Sequence, residues 1–453
     1  MRRSSSKRST TPSRTEPRGP ARRGADVYLM PSVIGGGRGD AEEVLSVGRA
    51  LARDGFPVHI VRSRPLSVLD DRSFDWSGLR RARGLRPRAD RAVTISSQFG
   101  ITAADGRDEP LGRAGPWAVE RVGIERAYGP ARVLHISLEE FARARPVAAL
   151  AEERWRESGR TERHRRARRT TRAFRREVAE FARLYRKFRA FDRPDLLVAF
   201  PTFRRSARFA AEFPEAVQTG PIWPEGPPPQ RAVSRAGPFR VLWYASPSTA
   251  DRLAPRLIAG LAAADRPVRL RVRSPRPLPL TPSGRVQIEA APTRPAAEWR
   301  REWARTDLAI VTGTRSLLEA IRWGVPFLYF NGVMGHGRST RRHRPEKLLA
   351  LLAVMPGPGT SARVRRDLSE FSRLRGVEEI VVRWVRRPVV IGPIVRRAVG
   401  RGFAEPFTDG ARFVAAVAER FASGSRSPAE LVRSLQRESR RAHKRPVARV
   451  SKV

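Results

Sequence analysis

The chain has 453 residues and 40% hydrophobic content, enough for two domains of ordinary size with a core each, and its lack of cysteine excludes disulfides, thiol nucleophiles and thiolate metal sites together. No run of about 18 uncharged apolar residues occurs, so no membrane-spanning helix is expected. The formal charge is +45 and only five of the 90 basic residues are Lys; an Arg excess in every segment fits either a GC-rich coding bias or attraction to an anionic membrane surface, polyphosphate-bearing substrates or nucleic acid.

Residues 1–24 are basic and rich in Ser and Pro, without the apolar core of a secretory signal peptide, and are expected to form a disordered tail. A buried strand is expected over residues 27–34. It runs into Gly35, Gly36, Gly37, Arg38, Gly39 and Asp40, and then into a helix over residues 43–51. Glycine in such a turn permits positive backbone angles and close approach of a ligand. Gly55 reads as the helix stop, and residues 58–61 as the second strand of a βαβ unit.

Further short apolar runs at 92–95, 131–136 and 195–200 are of the type that forms buried parallel strands. Their alternation with helical stretches argues for a doubly wound α/β domain. Residues 154–189 form a long charged stretch without proline, in which Phe174, Val178, Phe181, Leu184 and Phe188 make one apolar stripe. It reads as a solvated helix packed by one face, or as a basic arm for lipid phosphate or RNA.

The proline-dense residues 219–229 mark the clearest boundary, because proline stiffens the chain into an extended linker. An apolar strand restarts at 239–244, followed by the turn Ala245, Ser246, Pro247, Ser248, Thr249 and a helix through Leu253, Leu257, Ile258 and Leu261. More strands are expected at 268–272, 286–288, 308–311 and 327–330. After the strand at 308–311 come Thr312, Gly313, Thr314, Arg315 and Ser316, then a helix carrying Glu319, then Gly324, Val325 and Pro326. A strand, a small-residue turn and a new helix present free backbone N–H groups at a positive dipole end, which suits a diphosphate. Glu319 falls about two turns into that helix, where its carboxylate can accept hydrogen bonds from a ribose diol. Residues 331–338 form a glycine-rich loop at the end of a strand, with His336 and Arg338 as candidate ligand contacts. A helix over 411–421 carries Phe413, Val417 and Phe421 on one stripe, and residues 424–453 read as a second basic tail.

The order Thr312-Gly313, five residues, Glu319, four residues, Gly324-Val325-Pro326 resembles the donor-site segment of the GT-B glycosyltransferases. The likeness is nearest to glycosyltransferase family 28, which includes the lipid-linked N-acetylglucosaminyltransferase of peptidoglycan synthesis. It covers residues 25–423, by motif at this segment and at the N-terminal glycine loop, and by pattern elsewhere. The resemblance implies two Rossmann-like domains with a cleft between them. These would be an acceptor domain at 25–220, a linker at 221–237, a nucleotide-sugar domain at 238–400 and a docking helix at 401–423.

It further implies that Thr312 and Gly313, with Thr314, Arg315 and Ser316, line the diphosphate and that Glu319 holds the ribose. Gly35, Gly36, Gly37 and Gly39 would form the N-terminal loop, with Asp40 at the position where the family carries a catalytic His. Ser246, Ser248 and Thr249 stand where the family has a glycine-rich phosphate turn, and His336 and Arg338 lie in the loop that contacts the sugar. The implied activity is inverting transfer from a nucleotide-diphosphate sugar, with UDP favoured, to an acceptor hydroxyl. No Asp-x-Asp pair occurs, so no metal and no cofactor are expected. The acceptor left open by this reading includes a lipid-phosphate carrier, met by a cytoplasmic protein peripheral to an anionic membrane. The alternatives are a sugar-nucleotide epimerase or hydrolase on the same fold, an inactive GT-B protein, or a basic nucleic-acid-binding protein. Against the last, no motif that reads RNA or DNA is present.

Overall fold

The computed structural model describes residues 24–31, 39–61, 79–81, 87–97, 118–140, 195–200, 216–226, 237–245, 247–274, 278–290, 296–330, 360–424 and 426–444, with isolated positions at 85, 203, 348, 351, 352, 354 and 355. The stretch 154–189, the loop 331–338 and residues 32–38 lie outside them.

Two parallel sheets organise the described residues. The first contains β1 (Ala25–Met30), β2 (Val58–Ile60), β3 (Arg80–Arg81), β4 (Arg91–Ser97), β5 (Val133–Glu140), β6 (Leu196–Phe200) and β7 (Ala216–Gln218), in the order β3-β2-β1-β4-β5-β6-β7. The second contains β8 (Phe239–Tyr244), β9 (Val268–Arg273), β10 (Val286–Ala290), β11 (Leu308–Val311) and β12 (Phe327–Tyr329), in the order β10-β9-β8-β11-β12. Every strand pair is parallel. In both sheets the first strand in sequence lies centrally and the chain winds outward to either side, which creates a switch point between β1 and β4 and another between β8 and β11. All six residues of β1 and all four of β11 are buried; β11 is apolar throughout, and the one charged residue of β1, Asp26, accepts from Arg88 N, Ala89 N and the Tyr128 hydroxyl.

Helix α1 (Gly39–Arg53) covers the first sheet, and its approach is close. A Cβ on Gly48 would stand 2.2 Å from Leu29 Cδ1 on β1. The helix stops at Gly55, whose φ of 88° is left-handed. Helix α2 (Ala118–Tyr128) precedes β5. In the second unit, α3 (Pro247–Ala262), α4 (Ala296–Ala304) and α5 (Thr314–Trp323) alternate with the strands. Pro247 opens α3, where its missing N–H costs no helical bond.

The C-terminal part is helical: α6 (Thr360–Ser372), α7 (Val377–Arg386), α8 (Gly392–Gly402), α9 (Gly410–Ser423) and α10 (Pro428–Lys444). Helix α9 returns to the first sheet and packs on α1 and β1. Arg91 Nη1 donates to Phe421 O at 2.8 Å, and its guanidinium lies 4.9 Å over the Phe421 ring. Asp409 caps the start of α9 by accepting from the N–H groups of Ala411 and Arg412.

The expectation of a basic tail from residue 424 needs correction. Residues 428–444 form α10, which buries Leu431, Val432, Leu435 and Ser439 and packs against β7 and α9. Its Arg residues stand on the outer face while a narrow apolar stripe supplies the burial.

Candidate functional site

The site is built at the C-terminal edge of the second sheet, outside the switch point between β8 and β11. Strand β11 ends at Val311, Thr312 and Gly313 make the turn, and α5 begins at Thr314. Gly313 N–H donates to Ser316 Oγ at 3.3 Å and the Ser316 hydroxyl donates back to Gly313 O at 3.1 Å, which locks the first turn. The Ser316 hydroxyl is therefore spent on the helix start, and its contribution to a ligand is the backbone N–H. At the other end, Gly324 closes α5 in the left-handed conformation with its N–H on Ala320 O. Arg396 from α8 then donates to Ile321 O and Arg322 O at 2.7 and 2.6 Å, a cation on the negative end of the helix. Both ends of α5 are thus held, and its first N–H groups face the edge of the sheet.

Glu319 lies on the inner face of α5 and is 8% exposed. Tyr244, the last residue of β8, donates its hydroxyl to Glu319 Oε2 at 3.2 Å. Arg315 Nε stands 3.5 Å from Glu319 Oε1, one helical turn away. Burial pushes the Glu319 carboxyl above its ordinary value; Arg315 and Arg273 pull it back, Glu42 adds to the rise, and a hydrogen bond from Trp299 lowers it. The Tyr244 phenol is pushed well up by burial and by the charge of Glu319. Arg315 Nε and Nη1 are both buried without a hydrogen-bond partner among the described residues, so the contact with Glu319 is one of charge and the guanidinium keeps donors in want of an acceptor.

An aromatic wall stands behind this carboxylate. Tyr244 meets Trp299 edge to face at 5.0 Å, and Trp303 lies 5.8 Å from Tyr244. Arg273, the last residue of β9 and the register partner of Tyr244, places its guanidinium 3.9 Å over the Trp299 ring. Trp299 and Trp303 are one turn apart on α4, so a single helix face supplies both rings.

The first sheet reaches this edge through α1, which touches α5. Glu42 in its first turns bears electrostatically on Glu319. Arg49 of α1 is 5% exposed; its Nε donates to Glu225 Oε2 at 2.7 Å, and its Nη2 to Glu42 Oε2 and Ser46 Oγ. Arg53 adds a bond to Glu225 Oε1 at 3.0 Å. Glu225 belongs to the linker, so α1 and the linker are clamped together. The same linker is pinned from its other side, where Gly220 N–H donates to Phe407 O at 2.7 Å and a Cβ on Gly220 would stand 2.0 Å from Thr408 O.

Of the residues singled out in the sequence, Thr312, Gly313, Thr314, Arg315, Ser316 and Glu319 come together at the β11–α5 corner. Gly39 and Asp40 open α1, two or three residues before Glu42, and the side chain of Asp40 is outside the described residues. Gly35, Gly36, Gly37, Ser246, His336 and Arg338 also lie outside them, as do the side chains of Ser248 and Thr249. Sequence reasoning missed Tyr244, Arg273 and Trp299. The available signal was that Tyr244 ends the strand beside the switch point and Arg273 the strand next to it, and that Trp299 and Trp303 recur at helical spacing. Among the described residues no group of three or more His, Asp and Glu side chains is placed to hold a metal ion. No helix among them is long and apolar enough to cross a membrane.

No protein-family model matches the chain, and no curated protein sequence matches it. Solved structures with a similar arrangement include the glycotransferase of kitacinnamycin, at 13% identity and a TM-score of 0.43, covering 89% of this chain and 100% of that one. The calicheamicin glycosyltransferase CalG4 follows at 16% identity and a TM-score of 0.40, covering 89% and 99%. Acinetobacter baumannii MurG is similar at 11% identity and a TM-score of 0.36, covering 83% and 99%. At these identities and TM-scores the functional reading rests on the chain's own residues.

Proposed function

We propose that this protein is a glycosyltransferase that moves a sugar from a nucleotide-diphosphate donor, with a UDP-sugar favoured, to an acceptor hydroxyl, with inversion and without a metal. The observation that carries the reading is Glu319: a carboxylate buried about one and a half turns into α5, a helix opened by a glycine turn at the switch point. A buried carboxylate costs stability unless it is paired and hydrogen-bonded; Glu319 has a hydrogen bond from Tyr244 and an ion pair with Arg315, and a ribose diol supplies further hydroxyl donors that suit it. The N–H groups at the start of α5 and the unpartnered Arg315 Nη1 suit the diphosphate on the same side.

In the reaction, an acceptor hydroxyl attacks the anomeric carbon, the bond to the diphosphate breaks, and the negative charge that develops on the departing phosphate oxygen is met by the α5 N–H groups and Arg315. Asp40 is the proposed base, because it opens α1 just ahead of Glu42, the residue whose charge reaches Glu319. Metal independence is proposed from the absence of an Asp-x-Asp pair in the sequence. The acceptor is proposed to be carried on a lipid phosphate at an anionic membrane surface, a setting favoured by the charge of +45.

Calorimetry with a panel of nucleoside diphosphates and nucleotide sugars, at physiological salt, tests the donor site in wild type and Glu319→Ala. Selective binding of one nucleotide, weakened by about 1–3 kcal/mol in the variant, is expected for loss of a charged hydrogen-bond acceptor. Equal, salt-sensitive binding of every nucleotide, unchanged in Glu319→Ala, refutes the reading.

A further inference from the structure

We infer that Tyr244 is a positioning residue for Glu319, fixing the orientation and hydrogen-bonding state of the carboxylate through which a ribose hydroxyl is read. The inference rests on the donor-site reading of Glu319 and extends it to a residue outside the turn-and-helix motif.

The geometry is a hydrogen bond and an ion pair from different elements. Oε2 accepts from the Tyr244 hydroxyl at 3.2 Å, at the end of β8, and Oε1 faces Arg315 Nε at 3.5 Å on α5 itself. The Tyr244 bond is the directional one; Arg315 Nε makes an ion pair without a hydrogen bond, which attracts Oε1 but does not aim it. The phenol can serve as a fixed donor because its own ring is held. Trp299 meets it edge to face at 5.0 Å, Trp303 lies at 5.8 Å on α4, and Arg273 of β9 covers Trp299 at 3.9 Å. Burial and the charge of Glu319 both raise the phenol's pKa, so it stays a donor throughout the physiological range.

The groups that face Glu319 are Arg315 on its own helix, Arg273 on β9, Glu42 on α1, and the Tyr244 and Trp299 donors. Burial favours the neutral carboxyl and Glu42 reinforces it, whereas both arginines and both donors favour the anion that accepts from a ribose hydroxyl. Removing the Tyr244 hydroxyl shifts that balance toward the neutral form and frees the carboxylate to rotate, while the ring packing stays.

The test is UDP binding to the full chain by calorimetry between about pH 5 and pH 8.5, for wild type, Tyr244→Phe and Glu319→Ala, with thermal midpoints measured in parallel. In Tyr244→Phe, binding at neutral pH is expected to weaken about 10-fold, the acidic limb of the profile to move to higher pH, and the thermal midpoint to stay near that of wild type. A Tyr244→Phe profile that superimposes on wild type overturns the inference, provided Glu319→Ala has weakened binding. If wild type binds no nucleoside diphosphate of the panel selectively, or Glu319→Ala binds as wild type does, the donor-site reading itself falls; where another nucleotide is bound in place of UDP, the same comparison is read with that nucleotide. Should Tyr244→Phe fail to fold, 3-fluorotyrosine in place of Tyr244 keeps the ring and makes the hydroxyl a stronger donor. A shift of the acidic limb to lower pH supports the role of the hydroxyl, and an unmoved limb overturns it.

Discussion

Glu225 accepts from two arginines of the same helix, and the difference in their burial makes a sharp prediction. The Arg49 and Glu225 side chains are 6% and 9% exposed, joined at 2.7 Å, whereas Arg53 is 63% exposed at 3.0 Å. Removing one partner of a buried pair strands the other charge and costs roughly 3–5 kcal/mol. Arg49 retains Glu42 at 3.2 Å and Ser46 at 3.1 Å, so Glu225→Gln is expected to cost less, about 2–3 kcal/mol. An exposed pair is worth about 0.5 kcal/mol, which sets the expected cost of Arg53→Met. The assay is a pair of double-mutant cycles, Arg49→Met with Glu225→Gln and Arg53→Met with Glu225→Gln, read from the first urea transition. Coupling of about 2 kcal/mol is expected in the first cycle and about 0.5 kcal/mol in the second. About 1 M NaCl should abolish the second and leave most of the first. Equal couplings, or loss of both in salt, would refute the claim that Arg49 and Glu225 form a desolvated clamp between α1 and the linker.

Two further outcomes follow from the same residues and charges. Burial raises folded Glu319 above its ordinary value, so the folded state is favoured below the ordinary carboxylate range and loses that advantage as pH rises through the folded value. Glu319→Gln carries no such charge and is expected to be more stable than wild type at neutral pH, with the gap closing toward about pH 4; a variant less stable than wild type at neutral pH contradicts this. Sedimentation of the full chain with phosphatidylglycerol vesicles at physiological salt should carry down more protein than phosphatidylcholine vesicles do, as a cation-rich protein at an anionic surface requires. Equal pelleting with the two lipids refutes the membrane setting.

Much of the fold was legible because its signals are local. The runs at β1, β8 and β11 are short, mostly apolar with one charged residue each in β1 and β8, and followed by Gly, Ser or Thr turns, which is how a buried parallel strand reads. Gly55 and Gly324 punctuate α1 and α5 because both positions need a left-handed backbone. Helix α10 was misread for the opposite reason. Arg433, Arg437, Arg440 and Arg441 dominate its composition, and only the spacing of Leu431, Val432 and Leu435, with Ser439 a turn further on, betrays the face that packs.

The surroundings of Glu319 were not legible, and their separation along the chain explains why. Its place on α5 follows from the turn at Thr312-Gly313, but Tyr244 lies 75 residues away and reaches it only because β8 and β11 are sheet neighbours. Arg273 becomes a neighbour through strand register with Tyr244. Glu225 and Arg49 are 176 residues apart and meet only when the linker crosses α1. A motif specifies which groups can meet a phosphate or a ribose, since those groups sit on one turn and one helix. The burial and charge that decide how such a carboxylate behaves come from strand order and domain packing. At this site that second layer is Tyr244, Trp299 and Arg273 on one side and Glu42 on the other, and it makes Glu319 sensitive both to the sheet that carries it and to the helix that approaches from the first sheet.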